Sequence, residues 1–570
     1  MDHGTSEDVP VLIIGGSLVG LSAALLLRMH GIDVLTVERH AGTAINARAG
    51  HFQLRTVEIL RSAGLEAAVR RKSEEQYPPD GGINNVESLA GREIANYFPN
   101  LNAGVDEFSP TVRLFINQDA LEPILRTRAE ELGARLRYGT ECVSLEQDAD
   151  GVTAVIRDLA SGERRPVRAK YVVAADGNRS TTRGLLGIGM HGHGLLSRSI
   201  TIYFRSEADL GPLLRDRNQG VHYVTNSLLR GFFRLDRSGN AGFLVVNLVG
   251  DTSRPEVIAA YPSAPWARVA DGITEQRALE LLRAAIGVPD IPVVIDNIAT
   301  WQAEADVADR FQDGRVFLAG DAAHVVPPNG GFGGNTGVQD AHNLAWKLAL
   351  TLTGVAGPGL LETYDAERRP IGQLTVEQAF TRYVTRVAPY LGTENVQPQV
   401  DDFSMEIGYR YNSPAVVLEP GSHPLHEHPR MSKGSPGARA PHVFLDRHGA
   451  EVSTLDLFGG NFVLLTRPEG RAWHDVALAA AKEFGVALDA HVVGGADLAD
   501  AGDHFPEAYG ISPSGAVIVR PDGFVGWRAV AAAAAAAPAA ASAAASAAAS
   551  AEEILRQVFQ SLLCREDGKP

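Results

Sequence analysis

Cysteine is scarce in this sequence, because its 570 residues include only Cys142 and Cys564. Two cysteines exclude a disulfide framework and a thiolate metal cluster, so a reducing cytoplasm suits the chain. Basic residues are also in deficit: 52 Lys and Arg stand against 68 Asp and Glu, which gives a net charge of −16. This balance argues against a nucleic-acid partner, which usually needs a basic face.

Long, strongly hydrophobic runs are missing as well. The start, MDHGTSEDVP, is acidic, and the apolar run after it stops at glycines, so we expect no secretory signal. Residues 529–551 are nearly all alanine and serine, broken by Pro538. Alanine is only weakly hydrophobic and the run has no aromatic anchors, so we expect a helical or disordered low-complexity insert and no membrane partner.

Three apolar strands, far apart in the sequence, each end in a glycine turn. They are Val9–Ile14, Tyr171–Ala174 and Arg315–Ala319. A helix at Leu21–Met29 and a strand at Asp33–Val37 complete a βαβ unit after the first of them. Parallel strands end at one edge of a sheet, so we expect one α/β sheet that receives a cofactor at its carboxyl edge.

Short β-rich runs separated by polar turns occupy residues 199–248. They predict an antiparallel sheet, a separate layer that could roof a substrate cavity. Four side chains on it are candidates for lining that cavity, with ordinary sheet packing as the alternative: Tyr223, His222, Phe232 and Arg234.

The second half of the chain contains helices, a linker and a further α/β pattern. Helices are expected at 344–352 and 377–385, and residues 412–441 are rich in proline, glycine and histidine, which is typical of a linker. From His442 the strand and helix pattern restarts. The apolar residues between Ile554 and Leu563 fall on one helical face, so a terminal helix should dock back.

The first chemical signal is Gly15-x-Ser17-x-x-Gly20, followed by Glu38. Such a turn directs the amides around Leu18 at a pyrophosphate on a helix N-terminus, and the carboxylate binds ribose hydroxyls. The acidic residue favours FAD or NAD over NADP. Ser17 puts a Cβ where glycine is usual. On this motif alone, a glycine turn with a purely structural role therefore remains an alternative.

A second motif reads RVFLAGDAAH over 315–324 and continues as VVPPNGGFGGNTGVQDAHNLAWKLA to residue 349. Together with the Gly15 turn, it resembles the class A flavoprotein monooxygenases, the family that includes para-hydroxybenzoate hydroxylase. The resemblance implies that Asp321 holds the ribityl hydroxyls of FAD.

The same resemblance implies that the loop from Pro328 to Asn335 lies against the isoalloxazine. Glycines in that loop let bare amides approach the ring. A side chain at Gly333 or Gly334 is therefore expected to project toward the ring.

Other matches to the family are shorter. Asp176, in Asp-Gly-x-Arg-Ser, resembles the DG motif that contributes to binding both FAD and the nicotinamide cofactor. Arg39 is placed beside the adenine, Arg48 near the flavin and its pyrophosphate, Gln118 at the flavin, and the backbone of Val143 at the adenine. A surface salt bridge or a helix cap is the alternative for Arg39, Arg48 and Gln118.

Three segments narrow the resemblance to the aromatic polyketide hydroxylases, which include aklavinone and angucycline hydroxylases and enzymes of rubromycin-type pathways. These segments are residues 406–415, 436–442 and 519–523. Members of that subgroup carry a C-terminal thioredoxin-like domain. This chain has no Cys-x-x-Cys there, so the domain cannot perform dithiol chemistry, and a packing or assembly role is expected.

The resemblance therefore implies an α/β protein with three domains. The expected divisions are a Rossmann-like FAD-binding domain (1–185 and 300–390), an antiparallel-sheet substrate domain (186–299), a linker (391–441) and a thioredoxin-like domain (442–570) with an Ala-rich insert (529–551).

The implied activity is a FAD-dependent monooxygenase that hydroxylates a polycyclic aromatic polyketide through a flavin C4a-hydroperoxide, in antibiotic biosynthesis, with O₂ as co-substrate. Only one dinucleotide fingerprint is present, so NADPH or NADH should bind transiently over the flavin. No catalytic side chain stands out. The histidines of 191–193 and 423–428 lack ligand spacing, so we expect no metal. Two alternative functions remain: a FAD-dependent dehydrogenase or oxidase, and a non-enzymatic flavin-binding protein.

Overall fold

The computed structural model describes residues 7–45, 49–249, 273–392, 394, 396–532 and 540–565. In these ranges the α-helices are α1 (Leu18–Met29), α2 (Leu54–Ser62), α3 (Glu66–Gln76), α4 (Gln118–Glu131), α5 (Thr181–Leu185), α6 (Glu275–Ile286), α7 (Phe332–Leu352), α8 (Gly359–Arg386), α9 (Asp402–Ile407), α10 (Pro429–Ser432), α11 (Arg471–Phe484), α12 (His504–Tyr509) and α13 (Ala540–Leu562).

The β-strands form four sheets. They are β1 (Glu7–Ile14), β2 (Val34–Glu38), β3 (Ile83–Val86), β4 (Glu93–Phe98), β5 (Arg135–Tyr138), β6 (Thr140–Gln147), β7 (Val152–Asp158), β8 (Arg164–Ala174), β9 (Met190–Ser206), β10 (Val221–Thr225), β11 (Leu229–Leu235), β12 (Ala241–Val249), β13 (Val293–Ala308), β14 (Gln312–Asp313), β15 (Val316–Leu318), β16 (His324–Val325), β17 (Phe444–Arg447), β18 (Ala450–Ser453), β19 (Phe462–Thr466), β20 (Leu488–Val492), β21 (Ala516–Val519) and β22 (Val525–Ala529).

The first sheet has the order β14-β15-β8-β1-β2-β5, and its strands from β15 to β5 are parallel. The three strands predicted to end in glycine turns, β1, β8 and β15, are neighbours in it, which confirms the expected parallel sheet. Successive residues of β1 point to opposite sides, where Ile13 packs with the helices and Leu12 with the β6–β7 hairpin. Burial on both faces explains why this strand is a continuous apolar run.

The second sheet has the order β16-β13-β9-β12-β11-β10-β3-β4 and is antiparallel except between β10 and β3. The antiparallel sheet expected between residues 199 and 248 is therefore confirmed. One of its faces packs against α6, through residues such as Leu281 and Ala285. Residues 83–98, which the sequence analysis placed in the FAD-binding domain, supply two strands of this sheet.

A four-stranded sheet in the order β20-β19-β21-β22 follows in the C-terminal part, with β19 and β20 parallel and the other pairs antiparallel. Helices α11 and α13 cover one face. The predicted terminal helix does dock back: Leu555, Val558 and Phe559 are buried together with Trp346 of α7 and Phe462 of β19. Part of the Ala-rich insert belongs to α13, and residues 533–539 lie outside the described ranges.

The segment expected to be a linker is instead well packed. Tyr409, Tyr411 and Ala415 are buried, and so are Ala438 and Ala440 further along. Its proline and glycine content resembles that of a linker, but its aromatic residues fill a core of their own with Phe524. None of the described helices is both long enough and apolar enough to span a bilayer.

Candidate active site

The motifs recognised in the sequence meet at the carboxyl edge of the first sheet. Strand order places Glu38 (end of β2), Gly15 (after β1), Asp176 (after β8) and Gly320 (after β15) in a row. Adjacent strands are about 4.8 Å apart, so this row spans roughly 15 Å. Three motifs separated by some three hundred residues in sequence therefore form one continuous site.

Steric contacts explain the glycines of the first turn. A Cβ on Gly15, whose φ is +102°, would lie 2.2 Å from the carbonyl oxygen of Ala175, and one on Gly20 would lie 1.8 Å from that of Gly15. Helix α1 begins at Leu18, directly after the turn. The first amides of a helix have no partner within it, so this N-terminus is suited to an anionic group such as a pyrophosphate.

The hydroxyl of Ser17 donates a hydrogen bond to the carboxylate of Glu122 on α4. The same carboxylate is fully buried and also accepts hydrogen bonds from the Leu18 amide (2.9 Å), the Ala44 amide (2.6 Å) and the Gln118 side chain (2.7 Å). Gln118, predicted to contact flavin, thus helps to fix the turn. Serine at this position therefore anchors the turn to α4.

Glu122→Gln is expected to weaken FAD binding. Donors approach both carboxylate oxygens of Glu122, but glutamine has only one acceptor oxygen. At least one donor would therefore face an NH₂ group. Hydrogen bonds to charged groups contribute about 1.5–3 kcal/mol, which corresponds to a roughly ten- to hundredfold higher Kd for FAD. Titration of the apoprotein with FAD measures it, with Glu130→Gln on the exposed side of α4 as the control. Equal FAD affinity in both variants would show that Glu122 does not support the turn.

The acidic motif residues have local partners as well. Glu38 is 8% exposed and accepts hydrogen bonds from the amides of Gly16 (2.7 Å) and His40 (2.8 Å). Asp176 accepts hydrogen bonds from the Ser180 hydroxyl (2.5 Å) and the Thr182 amide (3.0 Å), so it holds the start of α5 in place.

The remaining predicted cofactor contacts fall on the same edge or outside the described chain. Asp321 is exposed in the turn after β15, and Arg39 is exposed after β2. Val143 is half-buried at a bulge in β6. Arg48 lies outside the described residues, so its predicted role stays a prediction.

Helix α7 starts at the glycine-rich loop, with Gly331 (φ +69°) as its N-cap and Pro328 exposed before it. Asn335 uses its side chain on the protein, because it donates to the carbonyls of His51 (2.9 Å) and Gly331 (2.6 Å) and accepts from the Gln53 amide (2.9 Å). This residue, predicted to contact the cofactor, braces the loop through its side chain.

The predicted direction of side chains at the two loop glycines, toward the flavin ring, stays a prediction, and the structure adds their protein neighbours. A Cβ on Gly334 would lie 3.0 Å from Leu18 Cδ2 and 3.3 Å from Ala49 Cβ, and one on Gly333 would lie 3.0 Å from Val326 Cγ2. A Cβ at either position would therefore be tight against a neighbouring side chain, which would have to shift slightly. Gly334 allows the start of α7 to approach the start of α1 closely.

The four residues predicted to line the substrate cavity divide between the two faces of the second sheet, which is called the roof sheet below. Tyr223 pairs with Phe232 across β10 and β11, so both project to the face opposite α6, and Arg234 follows on the same face. His222 projects to the α6 side, where it lies 2.7 Å from Asn84 Oδ1. Burial and the nearby Arg217 lower the pKa of His222 to about 3. The structure thus removes His222 from the cavity face.

Tyr223 connects the roof sheet to the loop before α7 and to the end of α8. The Asn329 side chain donates to the Tyr223 hydroxyl (3.3 Å), and Arg386 lies over the rings of Tyr97 (4.9 Å) and Tyr223 (5.8 Å). Burial would lower the pKa of Arg386, but the Tyr223 hydroxyl beside it raises that pKa overall. A cavity of about 220 Å³ opens here, lined by Tyr97, Phe98, Thr385, Arg386 and Gln399.

Arg234 is a buried cation without a carboxylate partner among the described residues. Its guanidinium stacks on Tyr77 (3.8 Å) and Phe115 (4.3 Å) and donates to the Gly50 carbonyl (2.7 Å). Its Nε and Nη2 atoms have no hydrogen-bond partner in the described structure. Burial lowers its pKa, and burial together with Arg113 and Arg234 lowers the pKa of nearby His51 to about 3, which leaves that imidazole neutral.

Unsatisfied buried polar atoms gather between the roof sheet and the glycine-rich loop. Within the described ranges they include His51 Nε2, Asn85 Oδ1, Arg234 Nε and Nη2, and Asn329 Oδ1. Buried polar atoms nearly always have partners, so these atoms require a polar ligand or water. Together with the anion-binding end of α1, they fit a dinucleotide whose ring system extends under the roof sheet.

Sequence reasoning did not single out three residues of this site, Glu122, Asn329 and Arg386, although Asn329 lies in the predicted loop from Pro328 to Asn335. Gln118 and Glu122 are four residues apart, which puts them on one face of α4, so their spacing was a usable signal. No local pattern marks Arg386, which reaches the cavity from the end of α8. In the part of the chain that is described, no group of three or more potential ligands is arranged to hold a metal.

Family models match both parts of this architecture. Residues 8–379 match the family described as FAD binding domain, and residues 433–559 match the family described as aromatic-ring hydroxylase, C-terminal. The chain belongs to the FAD-dependent aromatic-ring hydroxylases, and it is a FAD-dependent monooxygenase.

Individual relatives cover nearly the whole chain. A 4-methyl-5-nitrocatechol 5-monooxygenase of a Burkholderia species is 57% identical over 527 residues, 92% of this chain and 94% of that protein. An aklavinone 12-hydroxylase of Streptomyces purpurascens is 38% identical over 537 residues, 93% of this chain and 96% of that protein. The crystal structure of aklavinone-11 hydroxylase with FAD and aklavinone superimposes with a TM-score of 0.86 at 36% identity, covering 99% of this chain and 100% of that one.

Proposed function

We propose that this monooxygenase hydroxylates a phenolic ring of a polycyclic aromatic polyketide, using NADPH or NADH as reductant and O₂ as co-substrate in the cytoplasm. The observation that carries this proposal is the pair of Tyr223 on the second sheet and Arg386 at the end of α8, with Tyr223 bonded to Asn329 of the glycine-rich loop. Support for the substrate class comes from relatives named for aklavinone, including one with aklavinone bound.

A second candidate substrate is a single-ring catechol that carries an acidifying nitro group. The 57% identity to a 4-methyl-5-nitrocatechol 5-monooxygenase favours it. The cavity beside Arg386, at about 220 Å³, is also smaller than the roughly 300–1,000 Å³ typical of pockets for drug-sized ligands. Both candidates are acidic phenols, so the same residues can serve either of them.

The residues at the sheet edge fit FAD. The first-turn amides of α1 would hold the pyrophosphate, Glu38 the adenosine ribose and Asp321 the ribityl chain. The N-terminus of α7, at Gly333 and Gly334, places the positive end of a helix dipole at the loop, where it stabilises negative charge. Bound FAD supplies the redox chemistry, accepting electrons from the nicotinamide and delivering one oxygen atom of O₂ to the substrate.

The protein side of the reaction is ionisation of the substrate phenol. A phenolate ring is a better nucleophile than a phenol ring, so any group that stabilises the anion accelerates hydroxylation. The Arg386 guanidinium supplies positive charge beside the Tyr223 hydroxyl, whose oxygen accepts a hydrogen bond from Asn329. That hydroxyl can donate its own hydrogen bond to the oxygen of a substrate that binds as the phenolate, with the phenol proton released to solvent. Tyr223 and Arg386 are both less than 10% exposed, and such a low-dielectric setting strengthens the electrostatic effect.

The C-terminal part supports a thioredoxin-like domain by its strand order, β20-β19-β21-β22, with α11 between the parallel strands β19 and β20. We extend the proposal to the domain divisions set out from the sequence, with residues 83–98 moved to the substrate domain and residues 391–441 changed from a linker to a packed connection. Cys142 and Cys564 lie outside any Cys-x-x-Cys pair, so this domain would act through packing.

Anaerobic stopped-flow reduction by NADPH distinguishes the two substrate classes. Aklavinone is expected to accelerate flavin reduction by at least tenfold and to yield a hydroxylated product after air is admitted. Acceleration by 4-methyl-5-nitrocatechol alone would replace the first candidate by the second. Substrate oxidation that proceeds without O₂, given an artificial electron acceptor, would instead identify a dehydrogenase and overturn both candidates.

A further inference from the structure

Two of the three segments that narrowed the sequence resemblance, 406–415 and 519–523, meet at one buried cluster between the C-terminal domain and helices α7 and α8. Arg520, in the turn after β21, binds both oxygens of Glu367 on α8 (2.7 and 2.9 Å) and pairs with Asp522. Asp522 also accepts hydrogen bonds from Asn343 (3.2 Å) and Trp346 (3.1 Å) of α7. All of these side chains are 0–1% exposed.

Stability alone does not explain this cluster. Its charges balance, because Arg520 and Lys347 face Glu367 and Asp522. Removing such charges from water costs about as much as their attraction returns, and apolar residues of similar size often stabilise a fold better. What a bidentate arginine pair contributes is a defined geometry between the elements that it joins.

The cluster contacts a second arginine by two routes. Glu367 directly precedes Arg368 on α8, so the bidentate ion pair between Arg520 and Glu367 fixes the backbone that carries Arg368. On the second route, Phe524 stacks on Tyr411 (4.1 Å between ring centroids, 30° between planes), and the Tyr411 hydroxyl accepts a hydrogen bond from Arg368 (3.1 Å). Arg368 is itself fully buried.

Arg368 contacts both segments that border the proposed flavin site, namely the start of α7 and the turn at Gly320. It donates to the carbonyl of Thr336 in the first turns of α7 (3.2 Å) and to the carboxylate of Asp340 (2.7 Å). Asp340 accepts the amide of Gly320 (3.0 Å) and the Nε2 proton of His324 (2.7 Å). Gly320 directly precedes Asp321, so this carboxylate sets the position of the ribityl-binding turn.

We propose that the turn Arg520–Phe524 of the C-terminal domain is a positioning element of the flavin site. It acts through Arg368, which sets the start of α7 and the Gly320 turn relative to each other. The C-terminal domain thus contributes to the oxygenase site, although none of its described residues lies at the sheet edge that receives the cofactor. This assigns a role to a domain that lacks a redox pair.

The test uses the full-length enzyme and a charge-balanced double variant, Arg520→Met with Asp522→Asn, which removes one cation and one anion together. FAD affinity of the apoprotein, the visible circular dichroism of bound FAD and the flavin midpoint potential are measured. The control is Asp456→Asn, which breaks the peripheral ion pair of the same domain with Arg61 (2.6 Å) without touching Arg368. Phe524→Leu, which removes the ring contacts with Tyr411, Tyr409 and Arg55 but leaves the ion pairs of Arg520 intact, is measured in parallel.

The double variant is expected to bind FAD at least tenfold more weakly and to alter the visible dichroism and the midpoint potential. The control should stay within twofold of wild type in affinity. A double variant that unfolds more easily but retains wild-type FAD affinity, dichroism and potential would overturn the proposal and leave the cluster a purely structural one. If the double variant does not fold, Phe524→Leu is judged by the same criteria.

Discussion

Gly20→Ala is expected to give a folded protein that no longer retains FAD. The added Cβ would lie 1.8 Å from the Gly15 carbonyl oxygen, far inside contact distance, and that oxygen belongs to backbone that cannot rotate away. Either the turn or the start of α1 must move by more than an ångström. The α1 amides then lose their alignment with the pyrophosphate, and FAD affinity should fall by at least a hundredfold, or roughly 2.7 kcal/mol.

The flavin-to-protein absorbance ratio after purification, followed by FAD titration, measures this effect. Gly184→Ala is the matched control, because Gly184 is also helical and a Cβ there meets no atom within 4 Å. Far-ultraviolet circular dichroism establishes that both variants fold. A Gly20→Ala protein that purifies with wild-type flavin content would contradict the assignment of this turn to the cofactor.

The second large effect is expected at the cavity. Tyr223→Phe removes the hydroxyl between Asn329 and Arg386, and Arg386→Met removes the positive charge that stabilises a phenolate. Groups that stabilise negative charge at the reacting centre contribute about 10²–10³-fold to rate, so hydroxylation should fall by at least roughly a hundredfold in Arg386→Met. NADPH oxidation should continue, with H₂O₂ formed in place of product.

The ratio of hydroxylated product to NADPH consumed measures this uncoupling. Arg205→Met is the control, since Arg205 lies on the same sheet but pairs with Asp296 at the surface. The pH profile adds a second criterion: hydroxylation by Tyr223→Phe should recover as pH rises, because the substrate phenol then ionises in solution. An unchanged ratio and pH profile in both variants would exclude this pair from the reaction.

The parallel sheet and its cofactor edge could be predicted because glycine turns and apolar strands are local signals. Gly15 and Gly20 are required by contacts within a few residues of sequence or across one strand pair. The faces of the roof sheet could not be predicted in this way, because both are covered. His222 and Tyr223 are adjacent and both buried, and only the packing of α6 on one side tells them apart.

Arg386 at the cavity and the packed segment after α8 illustrate a different limit of prediction from sequence. Arg386 reaches the site from the end of a 28-residue helix, of which the sequence pattern predicted only residues 377–385. Residues 391–441 resemble a linker in composition, but Tyr409 and Tyr411 are buried against Phe524, more than a hundred residues later. Long-range packing decides both cases, and composition carries no information about it.

The most direct test of the central claim is the origin of the oxygen in the product. The enzyme is supplied with FAD, NADPH, substrate and ¹⁸O₂, and the product is analysed by mass spectrometry while NADPH consumption and H₂O₂ are measured. The account predicts one ¹⁸O atom in the product and close to one product formed for each NADPH oxidised. Product that is unlabelled, or H₂O₂ equal to the NADPH consumed at full substrate saturation, would contradict monooxygenase activity.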